Sequence, residues 1–344
     1  MKRILTLLIF VSLGLYTHAT IHNVDNNPNR PSGYFDNLQL ALNSASPGDT
    51  IYLYPSNTSY GNITIKQRVH IFGKGYDGTN GYASKIQHLT LDTNTSPSTN
   101  PSGSSFQGLT INQLNCDKPN ITNIVVVGNY ISYYYSGITL STNCSGWLIA
   151  NNFFTGNINL YNNGNIVITN NVFYGNQVYP VYGSNSPSLI FSHNLVMNFQ
   201  YFYKVYNAII SDNIFICSGN TNQSLMANNK FYNNISYRSA LNPYPLPPAG
   251  NAGANNISNQ DPLFETAPSS GNFNYTLDYH LKSNSPAKNA ASDGTDIGPY
   301  GGSSPFVWGG VFTIPQISET NITNPVINVS TPINVNVKGN KAGL

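Results

Sequence analysis

A short pattern built around asparagine recurs six times between residues 126 and 231, and it limits the possible folds more than any other feature. Every copy has a large apolar residue three positions before the asparagine and another two positions after it. Successive copies are 23, 19, 23, 19 and 16 residues apart. The asparagines are Asn129, Asn152, Asn171, Asn194, Asn213 and Asn229. Because the copies are aligned on asparagine, the independent signal is that all twelve flanking positions are apolar.

A repeat of about 20 residues with short apolar strands and no helical spacing predicts a solenoid, in which each turn of the chain stacks on the one before. Antiparallel hairpins fit less well, because they would not return the same residue type to the same position at this period. Neighbouring strands lie about 4.8 Å apart, so we expect the six asparagines to form one column. Asparagine suits this place, since it tolerates left-handed backbone at a bend and its amide both donates and accepts hydrogen bonds.

The composition agrees with an all-β fold. The 344 residues include 53 Asn, 29 Gly and 21 Pro, which are poor in helix interiors, and only 8% of the residues are charged. The 24 Tyr and 16 Phe, together with many Val and Ile, supply enough apolar surface for a core. The low charge therefore does not indicate a disordered chain.

The first 19 residues have the features of an export signal. Lys2 and Arg3 precede an apolar run from Ile4 to Leu15, and small residues at Thr17 and Ala19 suit signal peptidase. The sequence thus predicts cleavage after Ala19 and a secreted or cell-surface protein. The run is shorter than the ~17 to 25 residues that cross a bilayer, so no membrane span is predicted. The remaining chain has 13 basic and 13 acidic residues, and this balance predicts no nucleic-acid partner.

The three cysteines, Cys116, Cys144 and Cys217, are too few for a disulfide framework in an exported chain of this length. One bridge with a spare thiol and three buried small apolar side chains both remain open. The spacing between the cysteines does not suit a metal site.

Two parts of the chain resemble a known family. The stretches 45–51, 63–65 and 69–75 are similar to the N-terminal part of right-handed parallel β-helix proteins of the pectate lyase-like superfamily. The stretches 261–264, 279–282, 285–287 and 296–302 resemble the C-terminal part of its secreted bacterial members. The resemblance covers about residues 21 to 310 and implies an all-β, right-handed, single-stranded parallel β-helix. Lyases, hydrolases, epimerases and adhesins all share this fold, so no single activity is implied.

We therefore divide the chain into a signal peptide (1–19), an N-terminal cap (20–50), a parallel β-helix domain (51–310) and a C-terminal tail (311–344). In the cap, apolar residues at helical spacing predict a helix that covers the first turn. These residues are Phe35, Leu38, Ala41, Leu42 and Ala45. In the tail, Ile333, Val335 and Val337 alternate with polar residues and predict a short strand, which either packs on the β-helix or belongs to an attachment module.

The resemblance also indicates what a catalytic site would need. Lyases of this fold use a Lys or Arg base near carboxylates that bind Ca²⁺, and hydrolases need two carboxylates. Between Lys118 and Gln260, Asp212 is the only acidic residue, so neither requirement is met in that stretch. The sequence thus favours a protein without an orthodox catalytic site, and it predicts no metal and no cofactor.

His193 and Asp212 are the candidate catalytic pair. Each directly precedes a repeat asparagine, so stacking would place them on neighbouring strands within reach of a hydrogen bond. Asp212 could then orient His193 as a general base, with Lys204, Lys230 or Arg238 as a nearby cation. The equivalent residues of the other repeats are Gly128, Asn151, Asn170 and Asn228. A polar stripe at a bend is therefore the alternative interpretation.

Tyrosines recur between the predicted strands, and some of them should face solvent. The candidate ligand-binding residues are Tyr179, Tyr182, Tyr201 and Tyr203. Flat rings next to amides and hydroxyls suit a neutral glycan, because the apolar faces stack on the sugar while the polar edges form hydrogen bonds. A tyrosine-rich surface without a ligand is the alternative.

These observations predict an exported β-helix protein that binds a polysaccharide or cell-surface glycan through an aromatic and asparagine-rich wall. One rival hypothesis is a polysaccharide lyase or glycoside hydrolase that works from His193 and Asp212. The other is a structural surface or adhesion protein. The identity of the glycan and the oligomeric state are left open.

Overall fold

The structure of the chain is a computed structural model that describes residues 19–76, 83–95, 98–175, 179–183, 188–198, 202–216, 226–237, 245–270, 273–310, 316–322 and 335–340. Residues 1–18 of the predicted signal peptide, together with Tyr201, Cys217 and Arg238, lie outside the described residues.

One long parallel sheet, which we call the first wall, runs along the whole molecule. Each strand pairs with the strand one turn earlier and the strand one turn later, as a solenoid requires. The eleven strands in spatial order are Ile21–Val24, Asp49–Leu53, Val69–Phe72, Ser105–Gln107, Val125–Val127, Leu148–Ala150, Ile166–Thr169, Leu189–Ser192, Ile209–Ser211, Lys230–Tyr232 and Ala252–Ala254.

A second parallel sheet starts as a single surface and then divides in two. Its first strands are Asn62–Ile65, Lys85–Leu91 and Thr110–Cys116. The second wall continues from the first half of the last of these strands with Tyr130–Ile131, Phe153–Phe154, Val172–Tyr174, Leu195–Met197, Ile214–Ile216 and Ile235–Tyr237. The third wall continues from its second half with Ile138–Leu140, Ile158–Asn159 and Val181–Tyr182, and the pair Val205–Tyr206 and Met226–Ala227 follows.

The remaining elements are small. A helix spans Leu38–Ser44, and a single 3₁₀ turn spans Trp308–Gly310. The described residues also contain two antiparallel strand pairs, Asn94–Thr95 with Ser98–Thr99 and Gln316–Ile322 with Val335–Asn340. The predicted all-β parallel β-helix with very little helix is confirmed.

The predicted asparagine column is present at the bend between the first and second walls. In each turn the asparagine Oδ1 accepts the backbone N–H and the Nδ2–H of the asparagine one turn earlier, at 2.8 to 3.0 Å for Asn129 to Asn213. Its Nδ2 also donates to a backbone carbonyl of the previous turn. The column is fully buried from Asn129 to Asn234, so these amides satisfy one another instead of water.

The prediction was wrong for the sixth asparagine. The column continues from Asn213 to Asn234 and then Asn256, whereas Asn229 lies at the bend before the first wall, where its Oδ1 accepts the N–H of Ala208. Both bends place an asparagine next to a residue with positive φ, and therefore both produce similar local sequences. Accordingly, Asn233 and not Asn228 is the equivalent of His193 and Asp212 in this turn.

The helix Leu38–Ser44 packs on the N-terminal end of the solenoid. The Asn37 side chain caps it by accepting a hydrogen bond from the N–H of Leu40 at 3.0 Å. Leu38 and Leu42 are buried in the interior core of the solenoid. Asp49 fixes the following turn, because its carboxylate accepts the N–H groups of Thr20 and Ser46 at 2.7 and 2.8 Å.

Residues 261–310, which we call the exit segment, cover the outer face of the second wall. From Tyr130–Ile131 to Ile214–Ile216, each second-wall strand has one residue in the interior core and the adjacent residues in or against a separate outer core, as Val196 and Leu195 illustrate. Phe264, Tyr279 and Ile297 of the exit segment belong to this outer core. The second wall is therefore buried on both of its faces.

Candidate functional site

The bend between the first and second walls has a residue with positive φ in each turn. We call these residues the polar column, and they are Gly128, Asn151, Asn170, His193, Asp212 and Asn233, with φ between 52° and 63°. Glycine, asparagine and aspartate reach this conformation at the lowest cost, which explains the residue types found here. His193 is the exception that sequence reasoning singled out.

His193 and Asp212 lie on consecutive turns, as predicted. The distance from His193 Nε2 to Asp212 Oδ2 is 3.8 Å, which is an ion-pair distance and too long for a hydrogen bond. A second carboxylate also approaches, since Asp293 Oδ2 of the exit segment lies 3.6 Å from the same nitrogen. The side chains of His193 and Asp212 are only 9% and 3% exposed.

Asp212 forms its side-chain hydrogen bonds with the exit segment. Its Oδ1 accepts the backbone N–H of Ser292 at 2.6 Å, and its Oδ2 accepts the Ser292 hydroxyl at 2.8 Å. Its backbone carbonyl accepts the N–H of Gly298 at 2.8 Å. The carboxylate thus anchors a distant part of the chain.

The rest of the polar column makes the same kind of contact. Asn170 Nδ2 donates to the carbonyls of Pro299 and Gly301 at 2.9 and 2.8 Å. The side chain of Asn151 donates to Ser304 at 3.2 Å, and that of Asn233 donates to the Ala290 carbonyl at 3.0 Å. The polar column therefore holds the exit segment in place through a row of hydrogen bonds.

The exit segment also covers the His193 ring. Gly302 has φ +75° and lies so close that a Cβ atom there would be 3.3 Å from Cδ2 of His193. The Nδ1 atom of His193 is buried and has no hydrogen-bond partner within the described part of the chain. Burial disfavours the charge of Asp293, but hydrogen bonds from Thr295 and the His193 charge outweigh this and hold the pKa of Asp293 below its ordinary value.

The tyrosines predicted to bind a ligand meet on the third wall. Tyr182 pairs with Tyr203 in the next turn, and their rings stack with centroids 4.7 Å apart and planes within 12°. Tyr179 lies against Tyr203 with centroids 4.9 Å apart. All three are half-buried, and we call them the tyrosine stack. Tyr201 lies outside the described residues.

Lys204 closes one end of the tyrosine stack. Its exposed ammonium lies 5.4 Å from the centre of the Tyr203 ring, within the range of a cation–π contact. Burial, together with the neighbouring Tyr203 and Tyr182, raises the pKa of Tyr179, so its hydroxyl stays protonated at neutral pH.

A polar row that sequence reasoning missed lies one and two turns before the tyrosine stack. Asn159 pairs with Tyr182 in the register of the third wall, and Thr139 pairs with Asn159. Ser136 joins the row, because its hydroxyl lies 2.9 Å from Asn159 Nδ2 and 2.7 Å from the Thr139 hydroxyl. Asn157 Nδ2 donates to Asn159, while its buried Oδ1 has no partner among the described residues. The spacing of 23 residues from Asn159 to Tyr182 matches the repeat and could have predicted that these two residues lie next to each other.

The other acidic residues near the exit segment are dispersed. His280 Nδ1 lies 2.6 Å from Asp278, while Asp296 pairs with Lys288 at 2.8 Å. Within the described ranges, no three His, Cys, Asp or Glu side chains group closely enough to hold a metal ion. In the same ranges no helix has the length and apolar character of a membrane span.

Comparison with known proteins supports the fold but gives no information about the function of the site. Neither the scan against protein-family models nor the search of curated proteins finds a match. Among solved structures, the crystal structure of pectate lyase Pel9A is similar, with a TM-score of 0.50 and 12% sequence identity. The alignment covers 81% of this chain and 96% of that one. Likeness at this identity defines a parallel β-helix of the kind seen in a pectate lyase, and nothing further about activity.

Proposed function

We propose that this is an exported protein that binds a polysaccharide or cell-surface glycan on its third wall. The observation that carries the proposal is the tyrosine stack, three half-buried rings that two consecutive turns bring into contact. Large rings held in fixed positions lose little conformational entropy when a ligand binds, and they offer both apolar surface and hydroxyl groups.

The polar row supplies the second half of a sugar site. Hydroxyl and amide groups of the half-buried Ser136, Thr139 and Asn159 continue the same surface and can form hydrogen bonds with sugar hydroxyls. Strands repeat at about 4.8 Å, so the row and the stack form a linear surface that suits a chain ligand better than a single small molecule. Lys204 supplies a positive charge at this surface, so we expect neutral or weakly acidic glycans to bind.

The contacts of His193 and Asp212 favour binding over turnover. Both carboxylate oxygens of Asp212 accept hydrogen bonds from Ser292, and the exit segment covers the imidazole. A general base must reach a proton of its substrate, and the covered pair has no such access in this arrangement. The lyase or hydrolase hypothesis therefore requires displacement of the exit segment.

The proposal is tested with a panel of neutral and acidic polysaccharides, measured by affinity electrophoresis and calorimetry. We expect one class to bind and Tyr203→Ala to weaken that binding at least tenfold, which is about 1.4 kcal/mol. Tyr232→Ala is the matched control, because Tyr232 is 37% exposed on the first wall, away from the tyrosine stack.

Three outcomes would oppose the proposal. Failure of every glycan to bind would favour a structural or adhesion protein. An equal loss of affinity in Tyr203→Ala and Tyr232→Ala would show that the binding site is not on the third wall. New reducing ends or unsaturated products that Asp212→Asn abolishes would establish an enzyme. Export is tested separately, since the mature protein recovered from the medium of an expressing bacterium should begin at Thr20.

A further inference from the structure

Two cysteines from consecutive turns meet inside the solenoid. Cys116 is the last residue of the strand Thr110–Cys116, and Cys144 lies one turn later, shortly before the strand Leu148–Ala150. Their Sγ atoms are 3.3 Å apart, and the two residues are 1% and 0% exposed. Both thiols are free in the structure. The solenoid register creates this contact across 28 residues of sequence.

The contact is suited to covalent bonding. A disulfide needs its sulfurs about 2.05 Å apart, so the pair must approach by about 1.2 Å, which small rotations of the two side chains can supply. The pairing of Cys116 with Leu140 in the third wall fixes the backbone of Cys116, and Cys144 follows Leu140 by four residues. Both thiols also lie near the carbonyl of Lys118, at 3.4 and 3.7 Å, so they enter the same small space.

The two sulfurs are chemically unequal. The hydrogen bond from Cys116 lowers the pKa of Cys144, against the opposing effect of burial. The same hydrogen bond and burial raise the pKa of Cys116. This difference belongs to the folded contact, so it does not decide which sulfur reacts first while the chain is still folding.

We propose that Cys116 and Cys144 form an intrachain disulfide when the protein folds in an oxidising compartment. With glutathione disulfide as the oxidant, the thiolate of one of the two cysteines attacks one of its sulfurs, forms a mixed disulfide and releases one glutathione thiolate. The thiol of the other cysteine then loses its proton and attacks the protein sulfur of the mixed disulfide, which releases the second glutathione as its thiolate. Two electrons and two protons pass from the cysteine pair to glutathione, so one protein disulfide and two reduced glutathione molecules result.

Burial decides when this bond can form. The sulfurs are covered in the folded chain, whereas the neighbouring segment 117–120 is exposed. An oxidant therefore reaches the thiols before the turn between them closes, during folding, and reaches them slowly afterwards. Export would supply an oxidising environment at that stage, so the bond fits the proposed location but does not depend on glycan binding.

The test is to refold the reduced, denatured full chain with glutathione disulfide present, then denature it, alkylate it with iodoacetamide and measure its intact mass. We expect one alkylated cysteine per chain without reductant and three after reduction. Peptide mapping should find Cys116 linked to Cys144. In Cys217→Ser the numbers should become zero and two, so this variant is the control for the third cysteine.

Three labelled cysteines after oxidative refolding would overturn the proposal, and so would a bond that includes Cys217. A stability measurement gives a second readout, which compares the oxidised and reduced parent and uses Cys116→Ser as its control. We expect the oxidised parent to melt about 5 °C or more above the reduced parent, because the bond restricts the unfolded chain. Cys116→Ser should melt at the same temperature with and without reductant, and a dependence on reductant there would contradict the assignment.

Discussion

At the scale of single residues, asparagine has two different roles at the bend between the first and second walls. Asn170 has positive φ and makes the bend, while its neighbour Asn171 has ordinary backbone and links the turns through its amide. Of the 18 non-glycine residues with positive φ in the described part of the chain, 14 are asparagine. The bends therefore account for part of the abundance of asparagine.

We predict that Asn171→Ala lowers the free energy of unfolding by about 2 to 5 kcal/mol, because it removes the acceptor of Asn152 and a donor to the Ile149 carbonyl. Alanine at this position causes no backbone strain, so the change reports the hydrogen bonds. Asn115→Ala is the control, since Asn115 is a half-buried residue of the third wall without a side-chain hydrogen bond in the described ranges. Guanidinium unfolding measures both, and an equal, small loss would show that the column adds no stability.

The sequence was sufficient to predict the column and the neighbouring positions of His193 and Asp212, because stacking follows directly from a repeat. It was not sufficient to place Asn229, since both bends of a turn require the same residue types. Nor could it identify the partners of Asp212 and Asn170, which lie 80 and about 130 residues further along the chain. That segment has no repeat and thus no register from which a contact could be predicted.

At the scale of strands, the second wall differs from the first because it is covered on the outside. Leu195 and Ile190 belong to the same turn and face outward from different walls, yet Leu195 is 0% exposed and Ile190 is 37% exposed. Apolar runs such as Leu195–Met197 and Ile214–Ile216 are typical of strands buried on both faces. These runs were visible in the sequence, although they did not show which segment would cover them.

We predict that Leu195→Ala lowers the free energy of unfolding by about 2 to 5 kcal/mol, because it leaves a cavity between the second wall and the exit segment. Ile190→Ala should cost less than about 1 kcal/mol, since its side chain is already in contact with water. Chemical denaturation of the two variants measures the difference. Equal losses would mean that the exit segment does not pack tightly on the second wall.

The turn at the N-terminal end has its own pH dependence. Burial alone would raise the pKa of Asp49, but hydrogen bonds from Thr20, Ser46 and His22 outweigh it and lower the pKa. A carboxylate with a lowered folded pKa contributes stability above its unfolded value of about 3.9 and loses it as the pH falls through the folded value. We therefore expect Asp49→Asn to melt below the parent at pH 7, with the gap narrowing below about pH 4. Asp36→Asn, at a largely exposed position, should show no such gap.

At the scale of the whole molecule, the exit segment joins the polar column to the outer face of the second wall. The column fixes it by hydrogen bonds to Ser292, Pro299 and Ala290, and the outer core fixes it by burial of aromatic rings. The third wall is not part of this contact surface in the outer core, so the tyrosine stack and the polar row keep their own surface. The arrangement assigns different tasks to different walls of one solenoid.

We predict that a chain ending at Gln260 exposes the outer face of the second wall, including Phe153 and Ile214, and that it associates or binds the dye ANS. A chain ending at Gly310 keeps the exit segment, so it should remain monodisperse wherever the full chain does and should melt within a few degrees of it. Size-exclusion chromatography, dye fluorescence and thermal melting compare the three chains. If the shorter chain behaved like the longer one, burial by the exit segment would not be what protects the second wall, and the docking role of Asp212 and Asn170 would have to be abandoned.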